Sequence, residues 1–490
     1  MIFRQKYMPK PITKTEYLEQ VLEKGLLTTE EVKQFFHDYS DVYFVQASDQ
    51  DHSLISFYCK GMVDVTRVNE YYYAFVEEME AENYKCKEYI PPSIQIKTVA
   101  SLIEKTFSGY LIFYQKGNSF FYGIDVAKVP QREPAESRTE VSIKGPKDAF
   151  TEELNLNISL IRKRLKTEYL FSEAFTLGSI SQTKVALLYL DNKINPKMLH
   201  EVRSRLERFD SESITSGGQL EQWLSDRTFC LFPLFDYIMR PDFAIECMLR
   251  GRFILVVDGS PTVLIGPINL FELIKSPEDT HFPYFFVAFQ RVLRLISLSV
   301  AIFLPGFWLA ISSVNLDQLP LPLLSTAAVA RDGLPFPSVV EALFILGLFE
   351  LLREAGLRMP SALGPTISIV GGLIIGDAAI RAGLASPALI VIIALTAVAT
   401  FTLVNQSLTS TVSVLRIYTL VLSSFLGIYG FFISMFSILI YLSRLSSFHI
   451  DYLDPIASLS YKDFLAALLV NPFKRKKFNS SMLKKGDNNL

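Results

Sequence analysis

The chain has 490 residues, half of them apolar, with a formal net charge of −2 and a mean hydropathy of +0.27. That length exceeds one ordinary domain, and near-neutral charge gives no electrostatic footprint for a nucleic-acid partner. The apolar residues are unevenly spread: charges run through the first 280 residues, and nearly all long apolar runs lie after residue 292. The expected architecture is an α/β soluble region of two similar subdomains followed by an all-α polytopic membrane domain.

Met1 to Lys14 contains no apolar core that could serve as a signal peptide, so residues 1–290 are expected on the cytoplasmic side. The run Leu54-Ile55-Ser56-Phe57-Tyr58-Cys59 reads as a strand stopped by Lys60-Gly61, and helical sequence follows. A hairpin comes next, from Leu111–Tyr114 through the turn Gln115–Asn118 to Phe120–Ile124. A polar connector with Pro130 and Pro134 occupies 129–147. Beyond it a helix carries Leu156, Leu160, Ile161 and Leu165, with Asp148, Glu152 and Glu153 before it and Arg162, Lys163 and Arg164 at its end, a charge order that suits the helix dipole. The strand Val185–Leu190, the polar helix Pro196–Phe209 and the hairpin Phe253–Val257, Asp258–Pro261, Thr262–Ile265 then repeat the first layout. Strand, helices and hairpin occurring twice predict one subdomain over 1–128 and another over 148–290. Cys59, Cys86, Cys230 and Cys247 lack CxxC spacing and read as free thiols. The five histidines are scattered, and there is no phosphate loop, dinucleotide fingerprint, HExxH or GxSxG, so neither an enzyme nor a metal or cofactor is expected.

Four stretches in the membrane domain, 291–446, satisfy the requirement of about 20 mostly apolar residues: 293–314, 362–380, 384–404 and 412–442. Pro305-Gly306 predicts a kink in the first, and the last is longer than one crossing needs. Residues 334–358 form a strong helical pattern burdened with Glu341, Glu350, Arg353, Glu354 and Arg358. A charge at mid-bilayer costs roughly 2.5–3.5 kcal/mol, so this helix is expected at an interface, as a re-entrant segment, or with its charges packed against other helices. Arg291 and Arg294 before the first span and Lys474–Lys477 after the last place both ends, including the tail 447–490, in the cytoplasm. An even number of crossings follows: four spans plus one non-standard helix. Gly372 and Gly376 form a GxxxG pair that permits close helix packing, and the same small side chains also suit a pore wall. Asp377 and Arg381 are spaced for an i,i+4 pair at the cytoplasmic end of the 362–380 span, either a surface ion pair at the helix exit or a charged ring in an oligomer.

At Glu350-Leu-Leu-Arg353-Glu354-Ala-Gly-Leu-Arg358-Met-Pro360 the chain resembles the GerA family of spore-germination proteins, the A subunits of nutrient germinant receptors. Lys144-Gly145-Pro146, Leu160–Arg164, Arg240-Pro241-Asp242, Gly251-Arg252, Val257–Pro261 and Ser276-Pro277-Glu278-Asp279 extend the resemblance through the soluble region. Pro335-Phe336-Pro337 with Glu341-Ala342-Leu343, Val370-Gly371-Gly372, Ala382-Gly383-Leu384 and Ser386-Pro387 extend it through the membrane region, to about Arg416. The resemblance implies a multi-pass receptor subunit of the spore inner membrane with both termini on the core side. It implies a transporter-like, nutrient-binding B subunit and a lipoprotein C subunit as partners, and an oligomer that opens as a ligand-gated cation channel. On that basis Thr366, Ile369, Val370, Gly371, Gly372, Gly376 and Asp377 become pore-lining candidates in contact with water rather than lipid. Glu341, Glu350, Arg353, Glu354 and Arg358 become candidates for gating or subunit contacts. Four positions depart from the family pattern: Leu346 replaces an acid, Asp377 a glutamine, Arg381 an acid and Val404 a proline. A scaffold or signalling subunit without its own pore, or a secondary transporter, are the competing readings.

Overall fold

The computed structural model describes residues 14–45, 54–80, 93–128, 143–227, 229–358 and 376–456. Two short helices, α1 (Lys14–Glu23) and α2 (Thr29–Phe35), precede the first sheet. The sheet follows as β1 (Val42–Val45), β2 (Leu54–Cys59), α3 (Val65–Glu80), β3 (Ile94–Ile96), α4 (Val99–Thr106), β4 (Tyr110–Gln115) and β5 (Phe121–Asp125). Its strand order is β1-β2-β4-β5-β3, antiparallel throughout. Alternation along the strands sorts the core into two layers. Phe57, Cys59, Ile112 and Tyr114 pack with α1, α2 and α4, whereas Tyr58, Leu111 and Phe113 pack with Val68 and Phe75 of α3.

Helix α5 (Leu154–Arg164) leads into the second sheet. Its elements are β6 (Leu170–Leu177), β7 (Thr183–Leu190), α6 (Pro196–Glu207), α7 (Gly217–Leu224), β8 (Asp236–Ile238), α8 (Pro241–Leu249), β9 (Phe253–Val257), β10 (Val263–Gly266) and α9 (Leu270–Leu273). The order β6-β7-β9-β10-β8 repeats the first sheet position for position, again antiparallel. Both hairpins and both inner strands expected from the sequence are present. The edge strands β1, β3, β6 and β8 are additions: three are only three or four residues long, and β6 carries polar residues on its exposed face. The described cysteines, Cys59, Cys230 and Cys247, are free.

A buried ion pair joins the subdomains. Arg162 Nε and Nη2 lie 2.8 and 3.1 Å from the two Asp41 oxygens, with the guanidinium carbon 3.9 Å from the centre of the Phe107 ring. Beside it the Ser40 amide donates to the Ser172 carbonyl at 2.8 Å, and Tyr39 stacks on Phe171.

The helical region begins at α10 (Tyr284–Leu309), nine residues before the expected span, and continues as a π-helical turn over Ala310–Val314. Pro305 is accommodated inside α10, and the ladder loosens one turn later. Then come α11 (Leu321–Arg331), α12 (Ser338–Arg358), a helical stretch at 376–381, α13 (Pro387–Phe401), α14 (Gln406–Leu426) and α15 (Ile428–Ser443). The expected single helix over 412–442 is therefore corrected to two. Gly427 sits at φ +61°, ψ −137°, a conformation that favours glycine, and the chain folds back so that Tyr418 Oη lies 2.9 Å from Ser437 Oγ. At Gly430 a Cβ would fall 2.1 Å from the Leu422 carbonyl oxygen, so the two arms meet backbone to backbone.

Contacts orient these helices. α10 leaves the second sheet, and the π turn behind it ends at Asn315, whose side chain accepts from the Ile428 amide at the tip of the hairpin. The α13–α14 link returns to the soluble region, where Asn405 donates to Asp236 and Thr411 to the Leu231 carbonyl. After α15 the chain is again at the sheet: Tyr452 is buried, donates to the Pro233 carbonyl, and its carbonyl accepts from the Leu270 amide. Residues 446–451, assigned from sequence partly to a cytoplasmic tail, form a small hairpin docked on the second subdomain. The core of that subdomain is continuous with the base of the bundle through Leu298, Ile302, Leu403, Leu408 and Val412.

Candidate functional site: buried charges between the helices

α12 carries the five charged candidates, and its neighbours separate them into three groups. Glu341 lies in the first turn, at the end of the bundle remote from the soluble region. It is buried and accepts from the Ser386 amide and, at 2.7 Å, from the Ser386 hydroxyl. Ser338, Ser312 and Arg331 share a small cavity with it, about 20 Å³ and large enough for one water. The buried Ser338 hydroxyl has no partner among the described residues.

Glu350 and Arg353 lie deeper, about 14–18 Å along the helix at 1.5 Å per residue. Arg353 pairs with Glu350 at 2.8 Å and donates to Ser413 Oγ at 2.9 Å. Glu350 also faces Arg416 of α14 at 3.6 Å. Arg416 is almost fully buried, donates to the Ala301 carbonyl of α10 at 2.9 Å and reaches Thr400 of α13. One ionic cluster thus ties α10, α12, α13 and α14. Removing Glu350 would leave Arg416 buried, and Arg353 half-buried, without a counter-charge. Glu354 and Arg358 take no part: they form an exposed i,i+4 pair at 2.6 Å.

A second cluster lies where the soluble region meets α10. Glu272 receives Arg250, Arg252 at 3.2 Å and Lys275 at 2.8 Å. Burial alone would raise the Glu272 carboxyl, but Arg250, Arg252 and Lys275 outweigh it and hold the group well below the usual range. Burial, then Arg250, pushes Lys275 down to about 7 despite its bond to Glu272. Asp279 receives Arg291 at 2.8 Å and Arg294 at 3.0 Å, so the two arginines at the start of the expected first span clamp α10 onto the soluble region. A cleft of about 240 Å³ opens beside Lys275, between Asp236 and the 404–407 link.

Thr366, Ile369, Val370, Gly371 and Gly372 lie outside the described residues. Gly376 opens the helical stretch 376–381, near Ile390. Asp377 and Arg381 form the expected pair at 2.8 Å, exposed. Their position corrects the expected one: Ala379 and Ala385 pack with Leu309, Ala342 and Leu389, placing them at the remote end of the bundle rather than beside the soluble region. Leu346, where an acid was expected, is buried in the same apolar cluster. Arg416 was not singled out as a site residue; a lone arginine inside an otherwise apolar run was its signal. Three separately noted motifs also converge. Arg240 binds Asp242 at 2.6 Å and Glu278, the Lys144 amide donates to Glu278 at 3.1 Å, and a Cβ on Gly145 would strike Arg240 Nη2.

Paired α/β sheets fused to a helical bundle with internal ion pairs describe the class of protein by its build. Residues 30–482 match the model of the Bacillus/Clostridium GerA spore germination protein family. Spore germination protein XA of Bacillus anthracis is 40% identical over 89% of this chain and 90% of its own length. The uncharacterized membrane protein YfkQ of Bacillus subtilis is 35% identical over 74% of this chain and 70% of its own. The crystal structure of the N-terminal domain of the A subunit of the Bacillus megaterium spore germinant receptor GerK3 aligns with a TM-score of 0.37 at 24% identity, covering 49% of this chain and 94% of that one. The chain belongs to the GerA spore germination protein family. Among the described residues two helices, Tyr284–Val314 and Gln406–Leu426, are long and apolar enough to cross a membrane.

Proposed function

We propose that the chain is the A-type subunit of a nutrient germinant receptor and that it acts as an oligomeric, ligand-gated cation channel in the spore inner membrane. The soluble region and both chain ends lie on the core side in this reading. A transporter-like B subunit supplies nutrient recognition, and a lipoprotein C subunit completes the complex. The observation that carries the channel reading is the Glu350–Arg353–Arg416 cluster, an ionic joint inside an apolar bundle that links four helices. Buried charge in such a place is expensive, and membrane proteins place it along ion paths and at moving joints. Glu341, Glu350 and Arg353 act in gating, Glu354 and Arg358 in contacts between subunits, and the stretch around Val370 and Gly371 lines the pore.

Full-length protein reconstituted in liposomes with its partner subunits should pass potassium or sodium when nutrient is added. Bulky substitutions at Val370 or Gly371 should reduce that flux several-fold. Unchanged flux from a correctly assembled variant would remove the pore assignment, and assembly as a single copy beside the partners would favour a non-conducting scaffold.

A further inference from the structure

Between α7 and β8 the chain runs over 225–233, with residue 228 outside the described residues, and here Phe229 stands almost wholly in the open, at 93% exposure, with Leu231 half exposed. Arg227, Leu231 and Phe232 are held by the helices beside them. The Leu231 amide donates to Tyr441 Oη at 3.1 Å, its carbonyl accepts from Thr411, Arg227 donates to the Arg444 carbonyl at 3.0 Å, and Phe232 is buried against Tyr441 and Tyr452. A lone exposed phenylalanine is ordinary, and only an apolar patch continuous with others marks an interaction surface.

Its position supplies one. Thr411 and Tyr441 stand at the sheet end of the α14–α15 hairpin, within a turn of Val414 and Ile440, which are exposed on its apolar outer face. Leu231 therefore continues that face onto the soluble region. α10 begins at the same end with Phe285 and Phe289 exposed. Arg227 and Arg444 flank the loop, exposed and without an ion-pair partner among the described residues. Apolar tips beside unpaired arginines, level with the ends of apolar helices, match the headgroup layer of an anionic bilayer.

We propose that loop 225–233 anchors the second subdomain to the membrane surface, with Phe229 and Leu231 inserted among the lipids and Arg227 and Arg444 holding anionic headgroups. This rests on the bundle spanning a membrane. The loop then fixes the distance between sheet and bilayer beside the α14–α15 hairpin, so that motion of the sheet is transmitted to α14 and α15 rather than lost as tilt.

The test uses full-length protein with Trp223 and Trp308 replaced by phenylalanine, in phosphatidylcholine–phosphatidylglycerol vesicles with brominated acyl chains. Tryptophan at 229 (Phe229→Trp) should lose roughly half of its emission to bromine placed near the headgroup and less to bromine near the chain end. Tryptophan at 395 (Leu395→Trp), exposed midway along α13, should show the opposite order. Quenching at 395 without quenching at 229 overturns the anchor and leaves the spanning bundle intact; quenching at neither overturns both. A residue 229 shielded from lipid bromine and from aqueous iodide alike is covered by a second copy, which also overturns the anchor. Hydrogen exchange of the unaltered protein gives a reading that no substitution can spoil. Amides of 225–233 should exchange several-fold more slowly in anionic than in zwitterionic nanodiscs, and the double change Arg227→Gln/Arg444→Gln should abolish the difference. Equal exchange in the two lipids overturns the headgroup contact.

Discussion

The two sheets share one strand order yet have opposite relations to the bundle. The second merges with it: its apolar core runs without a break into α10, α13, α14 and the chain after α15, and Asp279 adds an ionic clamp to Arg291 and Arg294 of α10. The first touches the rest of the chain through a narrower joint, the Arg162–Asp41 pair, the Ser40–Ser172 hydrogen bond and the contact of Gly61 with α5. In the proposed channel one repeat would thus transmit and the other be moved. The difference lies in the faces each repeat leaves available, since the folds themselves match.

The most severe way to break this contrast is Arg162→Met. Asp41 would be left buried with only the Cys59 thiol, 3.4 Å away, to face its charge, a loss of about 3–5 kcal/mol. Hydrogen exchange of the full-length protein should rise around β1, β2 and α5 while β7, β9 and α10 keep their protection. Adding Asp41→Leu should restore much of the loss, because two apolar groups need no partner. Equal loosening of both sheets would show that the repeats are not separable.

Lys275 tests the other joint. Its ammonium is held near 7 in the fold and returns to the ordinary lysine value when unfolded, so above about pH 7 the unfolded chain binds the extra proton. Stability of the second subdomain should therefore rise from pH 6.5 toward 8.5, and Lys275→Met should flatten that rise. The window closes above it, because burial and Glu272 push the Cys247 thiol up, and that group contributes with the opposite sign. A thermal midpoint equally pH-dependent in Lys275→Met would place the titration elsewhere.

Smaller still is the expected effect of Gly61→Ala. Gly61 has φ +76°, and a Cβ there would lie 2.2 Å from Ser159 Oγ of α5. The backbone cost is about 1–2 kcal/mol, and the clash pushes the first repeat away from the second. Ser159→Ala in the same chain should recover the clash but not the backbone strain, as read from the thermal transition of the first subdomain.

Much of this contrast could be read in the sequence because inner strands announce themselves. Leu54–Cys59 and Val185–Leu190 are runs of apolar and aromatic residues ended by turn formers, and their repetition predicted the duplicated layout. Edge strands such as Ile94–Ile96 and Asp236–Ile238 are too short to leave a pattern, and their pairing is decided by the neighbour across the sheet. In the bundle, composition marked the apolar stretches but not the reversal at Gly427, because one glycine inside a long apolar run is also tolerated in a continuous helix. Glu350 and Arg353 were visible as charges on an apolar helix. Arg416, the partner of Glu350, lies 66 residues further on (416 − 350), and only the packing of α14 against α12 brings them together.

The mildest test concerns α2, near the start of the first repeat. Thr28 caps α2 with a reciprocal box: its hydroxyl accepts from the Glu31 amide, and the Glu31 carboxylate accepts from the Thr28 amide at 2.9 Å. Those hydrogen bonds hold the Glu31 carboxyl below its ordinary value. Thr28→Ala should cost about 1 kcal/mol, and the loss should appear as faster exchange in α2 and the strands beneath it. Because α2 packs mainly on the first sheet, through Val32 and Phe35, protection of β9, β10 and α10 should not change. A response that spread to α10 would mean that the first repeat is coupled to the bundle as tightly as the second, and the division between a moved repeat and a transmitting one would fail at its least disruptive test.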